Sequence, residues 1–410
     1  MKTASLDFDK ILVTTEFLID PYPTLHLLRK EEPIFWSDSI GGWLLTGYDD
    51  ILVSFKDTAH FSNEERLGKV LNYLPPEKQA QFKPFKDHYA GKSLLHSDPP
   101  DHTRMRNIVV REFNVKVVEQ MKPRMQEVID GVIDAALAKG EMDIVPDLAA
   151  TLPIHIIGQI LGVPATDRHL FRTWADSILA FQGVNKPSED NLQRAQDAIV
   201  SIRPYIREMV EERRREPKED LLGKFVAAES EGGRISEEEL INTCVTFFVA
   251  GQDTTIALIS NALFTLLSHP DQLQLLRENP QLLASAIEEA LRFESPIPRQ
   301  PRLMKKDLEL GGKLLKKGDV VFQMLNAANR DPDYFSEPDK FNIRRENNRH
   351  IAFGQGIHFC VGAVLARAEA VIAVGTAIRR LPNLRLANPR ADWDLEKRNT
   401  RSLKTLKVLF

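Results

Sequence analysis

The chain has 410 residues, with 54 lysine and arginine residues against 58 aspartate and glutamate residues and a formal net charge of −4. This length can bury a large hydrophobic core, and the small net charge gives no reason to propose a nucleic-acid partner. With two cysteines, Cys244 and Cys360, the chain lacks the residues for a disulfide framework or a multi-cysteine zinc site. We therefore expect a reducing, cytoplasmic location.

The sequence shows no targeting segment at its N-terminus and no linker that would separate domains. The first 20 residues contain several acids and no long apolar run, which predicts neither a signal peptide nor a membrane anchor. The sequence shows no Gly/Ser linker, low-complexity tract or internal repeat. We therefore expect one domain over residues 1–410.

The pattern along the first quarter of the chain alternates short helices and strands. Residues 21–31 and 48–56 predict helices, and residues 34–36 and 43–45 predict strands. Residues 62–95 are polar, contain Pro75-Pro76, and predict a long irregular loop, which is usually functional or mobile.

The rest of the chain predicts mainly helices. From residue 101 to about 228 the sequence predicts a series of amphipathic helices. Residues 307–325 carry two glycine turns between apolar segments, and residues 403–410 alternate like a strand. The expected fold class is mainly α with a minor β portion, a sheet built from both ends of the chain.

The longest predicted helix runs from Ser236 to about Ser268. Ser236 and Glu239 form a capping box, and His269-Pro270 ends the helix. Its centre reads Ala-Gly-Gln-Asp-Thr-Thr at residues 250–255, where a glycine costs roughly 1 kcal/mol relative to alanine and polar side chains compete for backbone hydrogen bonds. This composition predicts a local distortion with a function; a buried polar segment that is satisfied internally is the alternative.

The most informative segment is residues 353–362, Phe-Gly-Gln-Gly-Ile-His-Phe-Cys-Val-Gly. It places Cys360 between glycines, directly before a helix predicted from Val361 to about Arg380. A single thiolate can be one axial ligand of an iron whose other ligands come from a porphyrin, and glycines let the backbone approach a flat ligand. The helix N-terminus would favour the ionised thiolate. A buried cysteine in a glycine-rich turn is the alternative.

These two segments resemble motifs of the cytochrome P450 family. Residues 353–362 match its haem-binding signature F-G-x-G-x-H-x-C-x-G at every specified position, and residues 250–254 match its pattern A-G-x-[D/E]-T. The resemblance implies a cytochrome P450 fold, in which the central helix and the cysteine helix enclose haem b with Cys360 as the axial ligand of the iron. It also implies that Ala250 lies against the haem, that Thr254 hydrogen-bonds dioxygen, and that Asp253 connects to a proton supply.

Four basic residues stand where family members contact the haem propionates. His102 and Arg106 lie one helical turn apart in a segment similar to the family's D-P-P-x-H-T-x-x-R. Arg302 matches a strand arginine with the same role, and His358 lies in the cysteine signature. Each of these residues taken alone could be a solvated surface charge. The signature implies three further cofactor-binding residues, Phe353, Gly354 and Gly362.

A third motif is structural by resemblance. Glu289 and Arg292 match the family's E-x-x-R, and we assign Arg345 as the third member of the trio. The trio would tie the cysteine loop to the core without taking part in the chemistry. An isolated pair of this kind is otherwise a surface salt bridge of little energetic value.

The substrate and partner surfaces are specified less well. By resemblance, the substrate pocket draws on five segments: residues 62–95, 179–184, 247–250, 295–300 and 398–403. Their apolar side chains suit an apolar ligand, although the same residues could be core. A set of basic residues could steer an acidic iron–sulfur or flavin protein, or could be ordinary solvated charges: Arg104, Arg111, Lys340, Arg344 and Arg349.

Together these features predict a haem-thiolate monooxygenase similar to soluble bacterial members of the family. It would insert one oxygen atom from O2 into a small, largely apolar substrate by hydroxylation or epoxidation, with electrons from a separate ferredoxin or flavodoxin and its reductase. Two other classes stay open at this point. One is a peroxide-driven peroxygenase, which would have less need of Asp253 and Thr254, and the other is a non-catalytic haem sensor or carrier.

Overall fold

The computed structural model describes residues 6–183, 186–230, 235–381 and 383–410. Helices dominate it, which confirms the expected class, mainly α with a minor β portion. The α-helices are α1 (Phe8–Ile11), α2 (Thr15–Ile19), α3 (Tyr22–Glu31), α4 (Tyr48–Lys56), α5 (Pro76–Gln81), α6 (Lys83–Ala90), α7 (Asp101–Glu112), α8 (Val115–Leu137), α9 (Thr151–Ile160), α10 (Arg168–Leu179), α11 (Glu189–Arg215), α12 (Leu221–Ser230), α13 (Glu237–Ser268), α14 (Pro270–Glu278), α15 (Leu283–Phe293), α16 (Leu325–Ala328) and α17 (Ala363–Arg380). The strands are β1 (Ile34–Ser37), β2 (Gly42–Leu45), β3 (Phe61–Ser62), β4 (Glu141–Asp143), β5 (Gln300–Met304), β6 (Leu308–Leu310), β7 (Lys313–Leu315), β8 (Val320–Gln323), β9 (Arg385–Leu386), β10 (Asp392–Trp393), β11 (Leu403–Thr405) and β12 (Lys407–Leu409).

The strands form several small sheets. The largest has the order β1-β2-β8-β5-β3, in which β2 and β8 are parallel and the other neighbours antiparallel. Strand β12 pairs instead with β4 and β9. The expected sheet with strands from both ends of the chain is therefore present, but residues 403–410 do not belong to it. Alternating hydrophobicity indicates that a segment is a strand, but it does not indicate which strand lies beside it.

Helix α13 passes through the largest hydrophobic cluster of the protein. Its capping box is present as predicted, because the Ser236 hydroxyl accepts from the Glu239 N–H and the Glu239 carboxylate accepts from the Ser236 N–H. Within the described residues, α13 is the one helix long and apolar enough to cross a membrane, and most of it is buried inside the protein. The backbone is α-helical through residues 250–255, so the predicted distortion is not found.

Residues 62–95 are not the irregular loop that the sequence predicted. They contain a 3-10 turn at Gly68–Leu71 and the helices α5 and α6. Prolines stand in the first turn of both helices, where they start a helix rather than break it. Phe85 and Tyr89, one turn apart, are buried in the main cluster. These helices are too short to show a clear period in the sequence.

Candidate functional site

The cysteine loop folds tightly onto helix α4. Gly354 and Gly356 both have a φ of 70°, a left-handed conformation that favours glycine. A Cβ atom on Gly356 would lie 2.4 Å from the carbonyl oxygen of Phe55, so this position also needs a residue without a side chain. The N–H of Cys360 donates to the carbonyl of Phe353 at 3.0 Å and closes the loop. The loop thus holds Cys360 directly before α17.

The Cys360 thiol faces the interior. Burial raises its pKa, and this effect outweighs the opposing effects of the Gly362 N–H and the Arg106 guanidinium. Helix α17 begins at Ala363, with Gly362 as its N-cap. The surrounding protein groups therefore do not favour the Cys360 thiolate as the sequence predicted. A bound metal ion would favour it, because a metal ion deprotonates the thiol that coordinates it. In the described residues no group of three or more His, Cys, Asp or Glu could hold a bare metal ion, so this single sulfur suits an iron held mainly by a porphyrin.

One face of the buried helix α13 borders open space. Ala250 is exposed and Phe247 and Thr254 are partly accessible, although most neighbouring positions on α13 are buried. These three residues share one helix face, because they are spaced by three and four positions. The Thr254 hydroxyl donates to the Ala250 carbonyl at 2.8 Å, one turn earlier. The side chain is thus satisfied within the helix, and the helical backbone is not interrupted. Ala250 and Thr254 therefore lie on an accessible face of a helix that is otherwise mostly buried.

Asp253 points away from that face and is held by the C-terminal part of the chain. The side chain is buried, and its two oxygens accept from the Lys397 ammonium and, at 2.8 Å, from the Thr400 hydroxyl. The sequence did not identify Lys397 or Thr400. The contact joins positions 144 residues apart, and neither residue carries a motif.

His102 and His358 face each other with unsatisfied ring nitrogens. Their ring centroids are 4.2 Å apart, and both nitrogens of His102 and the Nε2 of His358 are buried without a hydrogen-bond partner. Burial and the nearby Arg106 lower the pKa of His102 to about 4, and burial lowers the pKa of His358. Arg106 donates to the Phe359 carbonyl at 2.7 Å, which places it beside the cysteine loop.

Two buried arginines complete this basic cluster. Within the described part of the chain, Arg302 donates to the Pro301 carbonyl and to the Gln300 side chain, at 3.0 and 3.3 Å. Burial together with Arg66 lowers the pKa of Arg302 to about 9. Arg66 has a buried Nε without a partner, and burial lowers its pKa to about 10. The sequence missed Arg66 because it lies in the segment interpreted as an irregular loop.

The donors in this cluster fit the propionates of a haem. We call the basic cluster the set His102, Arg106, Arg302, His358 and Arg66. The neighbouring carboxylate, Asp98, is already occupied by the Asn63 N–H and by Lys305. Buried cations and imidazoles with unfilled hydrogen bonds are unfavourable unless an anionic partner meets them. A dianionic ring beside Cys360 would satisfy these donors.

The third motif is assembled as a buried ion-pair network. Arg292 donates to both oxygens of Glu289 at 2.8 Å, and the Nε of Arg345 lies 3.1 Å from both. Glu289 and Arg292 are fully buried. Arg292 also donates to the carbonyls of Asn329, Pro338 and Lys340, while the Lys340 ammonium lies 3.5 Å from the exposed Glu337. The network ties residues 329–345, which precede the cysteine loop, to helix α15.

The proposed basic surface is only partly free. Arg104 forms ion pairs with Asp101 and Glu239 at 2.8 and 2.5 Å, so its charge is already neutralised within the protein. Arg344 and Arg349 are exposed. In the substrate segments, Val184 lies outside the described residues.

The chain is similar to known proteins along most of its length. The family model "Cytochrome P450" matches residues 64–399. Cytochrome P450 monooxygenase PikC from Streptomyces venezuelae is 39% identical over 378 residues, which covers 90% of this chain and 86% of PikC. Cytochrome P450BioI, solved in complex with acyl carrier protein ligated to hexadec-9Z-enoic acid, is 33% identical and superposes with a TM-score of 0.88 over 97% of this chain and 100% of its own. A myxobacterial cytochrome P450 in complex with myristic acid is 35% identical, with a TM-score of 0.88 over 98% of each chain.

Proposed function

The chain belongs to the cytochrome P450 family, and from this premise we propose that it hydroxylates or epoxidises a small, largely apolar molecule with one oxygen atom from O2. Membership makes it an oxidoreductase, a haem-dependent monooxygenase that uses O2 and a substrate. The observation that supports the proposal is the set of buried, unpartnered imidazole nitrogens on His102 and His358, with Arg106 bonded to the Phe359 carbonyl next to Cys360.

We infer that haem b is the cofactor. Cys360 would bind the iron, the basic cluster would hold the propionates, and Phe353, Gly354 and Gly362 would shape the loop behind the sulfur. When bound, haem supplies the redox centre at which O2 is reduced, with one oxygen atom entering the substrate and the other leaving as water. Ala250 would set the distance of helix α13 from the ring.

The proton supply would run through Asp253 and Thr254. Asp253 accepts hydrogen bonds from Lys397 and Thr400, so its carboxylate is linked to two donors at its buried end. Thr254 holds its hydroxyl on the accessible face of α13. In this scheme Asp253 takes a proton from the Lys397 side, and rotation of its side chain then brings that proton to the helix face that carries the Thr254 hydroxyl.

The electron donor would be a separate ferredoxin or flavodoxin with its reductase, acting in the cytoplasm. Bacterial P450s use redox partners, and Arg344 and Arg349 are exposed in the segment before the cysteine loop. An acidic partner would be steered to this side by charge, which raises the encounter rate more than the affinity. The apolar substrate class is supported by the apolar wall at Phe247 and by solved relatives, one of which is in complex with myristic acid.

Turnover under isotopically labelled oxygen tests the proposal. The haem-loaded protein is supplied with NADPH, a ferredoxin and its reductase, and a panel of apolar compounds under ¹⁸O2, and products are identified by mass spectrometry. We expect products that carry one ¹⁸O atom and consume NADPH. Product formation with hydrogen peroxide, but none with the complete electron-transfer system, would instead indicate a peroxygenase, and no product under either condition would indicate a sensor or carrier.

A further inference from the structure

A second pair of arginines lies outside the basic cluster. Arg299 directly precedes β5, in which Gln300 and Arg302 interact with each other. Because successive residues of an extended segment point to opposite sides, Arg299 points away from the side of Arg302. Its Nη2 donates to the Gly183 carbonyl at 2.7 Å, and its guanidinium carbon lies 5.0 Å from the centre of the Phe322 ring.

The side chain of Arg299 is strongly desolvated but still partly accessible to solvent. Burial, and then the charge of Arg398, lower its pKa to about 10. Its side chain is nevertheless partly accessible, as is that of Arg398. Both side chains therefore keep part of their surface accessible, and the charge of Arg398 acts on Arg299.

Three segments predicted to line the substrate pocket meet at this point. Gly183 belongs to residues 179–184, Arg299 to residues 295–300, and Arg398 to residues 398–403. Gly183 has a φ of 83°, and a Cβ atom on it would lie 2.5 Å from the carbonyl carbon of Arg398. The backbones at Gly183 and Arg398 therefore lie close together, and Arg299 joins the third segment to Gly183 through its hydrogen bond.

Neither arginine has a carboxylate partner. Among the described residues, no salt bridge involves Arg299 or Arg398, in contrast to Lys397 and Arg401 on either side, which pair with Asp253 and Glu294. Two like charges close together in the interior repel each other and lose hydration. An anionic group between them would relieve both effects, and the planar guanidinium fork matches the two oxygens of a carboxylate.

We propose that the substrate carries a carboxylate, bound by Arg299 and Arg398, and an apolar tail that extends along the accessible face of helix α13 to Thr254. The inference rests on the proposed monooxygenase function, because it assigns the polar end of that enzyme's apolar substrate. Phe247 and Ile297 are partly accessible apolar residues of the predicted pocket segments and suit such a tail.

Binding of a matched acid and alcohol tests the assignment. The probes are dodecanoic acid and dodecan-1-ol at pH 8, titrated into the haem-loaded full chain by calorimetry and by the shift of the haem Soret band. The acid is expected to bind the unmodified protein at least about 10-fold more tightly than the alcohol, since hydrogen bonds to charged groups are the strong ones. Arg299→Gln and Arg398→Gln should each weaken acid binding by about 10-fold or more and leave alcohol binding unchanged.

Two further variants serve as controls. Arg390→Gln removes an exposed arginine and should change neither affinity. Arg299→Lys keeps the charge and should retain most of the preference for the acid. Equal binding of acid and alcohol, unaltered acid binding in both glutamine variants, or no acid binding at all would overturn the carboxylate assignment. The carbon monoxide difference spectrum of the unmodified protein and of each variant is recorded alongside. If the unmodified protein lacks the band of a thiolate-ligated haem, the monooxygenase proposal itself is refuted.

Discussion

At position 254, a hydroxyl group lies on the accessible face of a mostly buried helix. Its hydrogen bond to the Ala250 carbonyl fixes its orientation, and the side chain remains partly accessible. The neighbouring Asp253 carries the opposite arrangement, a buried carboxylate with donors on both oxygens. Adjacent residues on a helix point in different directions, so Thr254 lies on the accessible face while Asp253 faces residues 397–400.

Removal of the Thr254 hydroxyl should uncouple electron use from product formation. In Thr254→Ala, NADPH consumption continues, but product per NADPH should fall by about 10-fold or more, since a positioned proton-transfer group contributes factors of 10² to 10⁴. The measurement compares product, NADPH and hydrogen peroxide in one reaction. Thr254→Ser, which keeps a hydroxyl, should retain coupling, and equal coupling in the alanine variant would contradict the assigned role.

The buried His88 on helix α6 should make stability depend on pH. Burial and Arg203 lower the pKa of His88 to about 3, below its ordinary value of 6.5. The unfolded chain therefore binds more protons between these values, and the free energy of unfolding falls as the pH decreases from 6.5.

Replacement of His88 isolates this effect. Between pH 6.5 and 5 the histidine should account for roughly 1–2 kcal/mol of lost stability. Urea unfolding of the unmodified protein and of His88→Gln at both pH values measures it. The glutamine variant should lose less stability, and parallel losses in the two proteins would contradict the prediction.

At the scale of secondary-structure elements, local sequence signals predicted where an element begins or ends. They did not predict contacts between distant segments. The capping box predicted the start of α13, because its two residues lie three positions apart and act on the same helix turn. The cysteine motif is likewise contiguous. By contrast, the contacts of Arg299 with Gly183 and of Asp253 with Lys397 depend on how distant segments pack, and the single sequence carries no signal for them.

The network of Glu289, Arg292 and Arg345 should support the segment before the cysteine loop. In Glu289→Gln, the fully buried Arg292 loses its charged partner, and breaking a buried pair in this way costs about 3–5 kcal/mol. We expect a lower free energy of unfolding and faster loss of haem, measured by denaturation and by haem transfer to apomyoglobin. Lys340→Gln, which removes an exposed ion pair, should be near neutral, and an equally stable Glu289→Gln protein would refute the structural role.

On the scale of the whole molecule, the exposed basic residues before the cysteine loop bear on partner recognition. Charge reversal at Arg344 and Arg349 should slow reduction by an acidic ferredoxin by about 10-fold at low ionic strength, and salt should reduce the difference. Stopped-flow reduction measures the rate, and substrate binding should stay unchanged. Arg390→Glu is the matched surface control. Equal reduction rates in the unmodified protein, the Arg344 and Arg349 charge-reversal variant and Arg390→Glu would show that this surface does not bind the electron donor.

The central claim is that Cys360 binds the haem iron, and the carbon monoxide difference spectrum of the dithionite-reduced protein tests it most directly. The account predicts the far-red-shifted Soret band of a thiolate-ligated ferrous haem, its loss in Cys360→Ser, and its retention in Cys244→Ala, because Cys244 is buried in the core away from the cysteine loop. A haem-containing protein without that band, or a band that persists in Cys360→Ser, would contradict the claim.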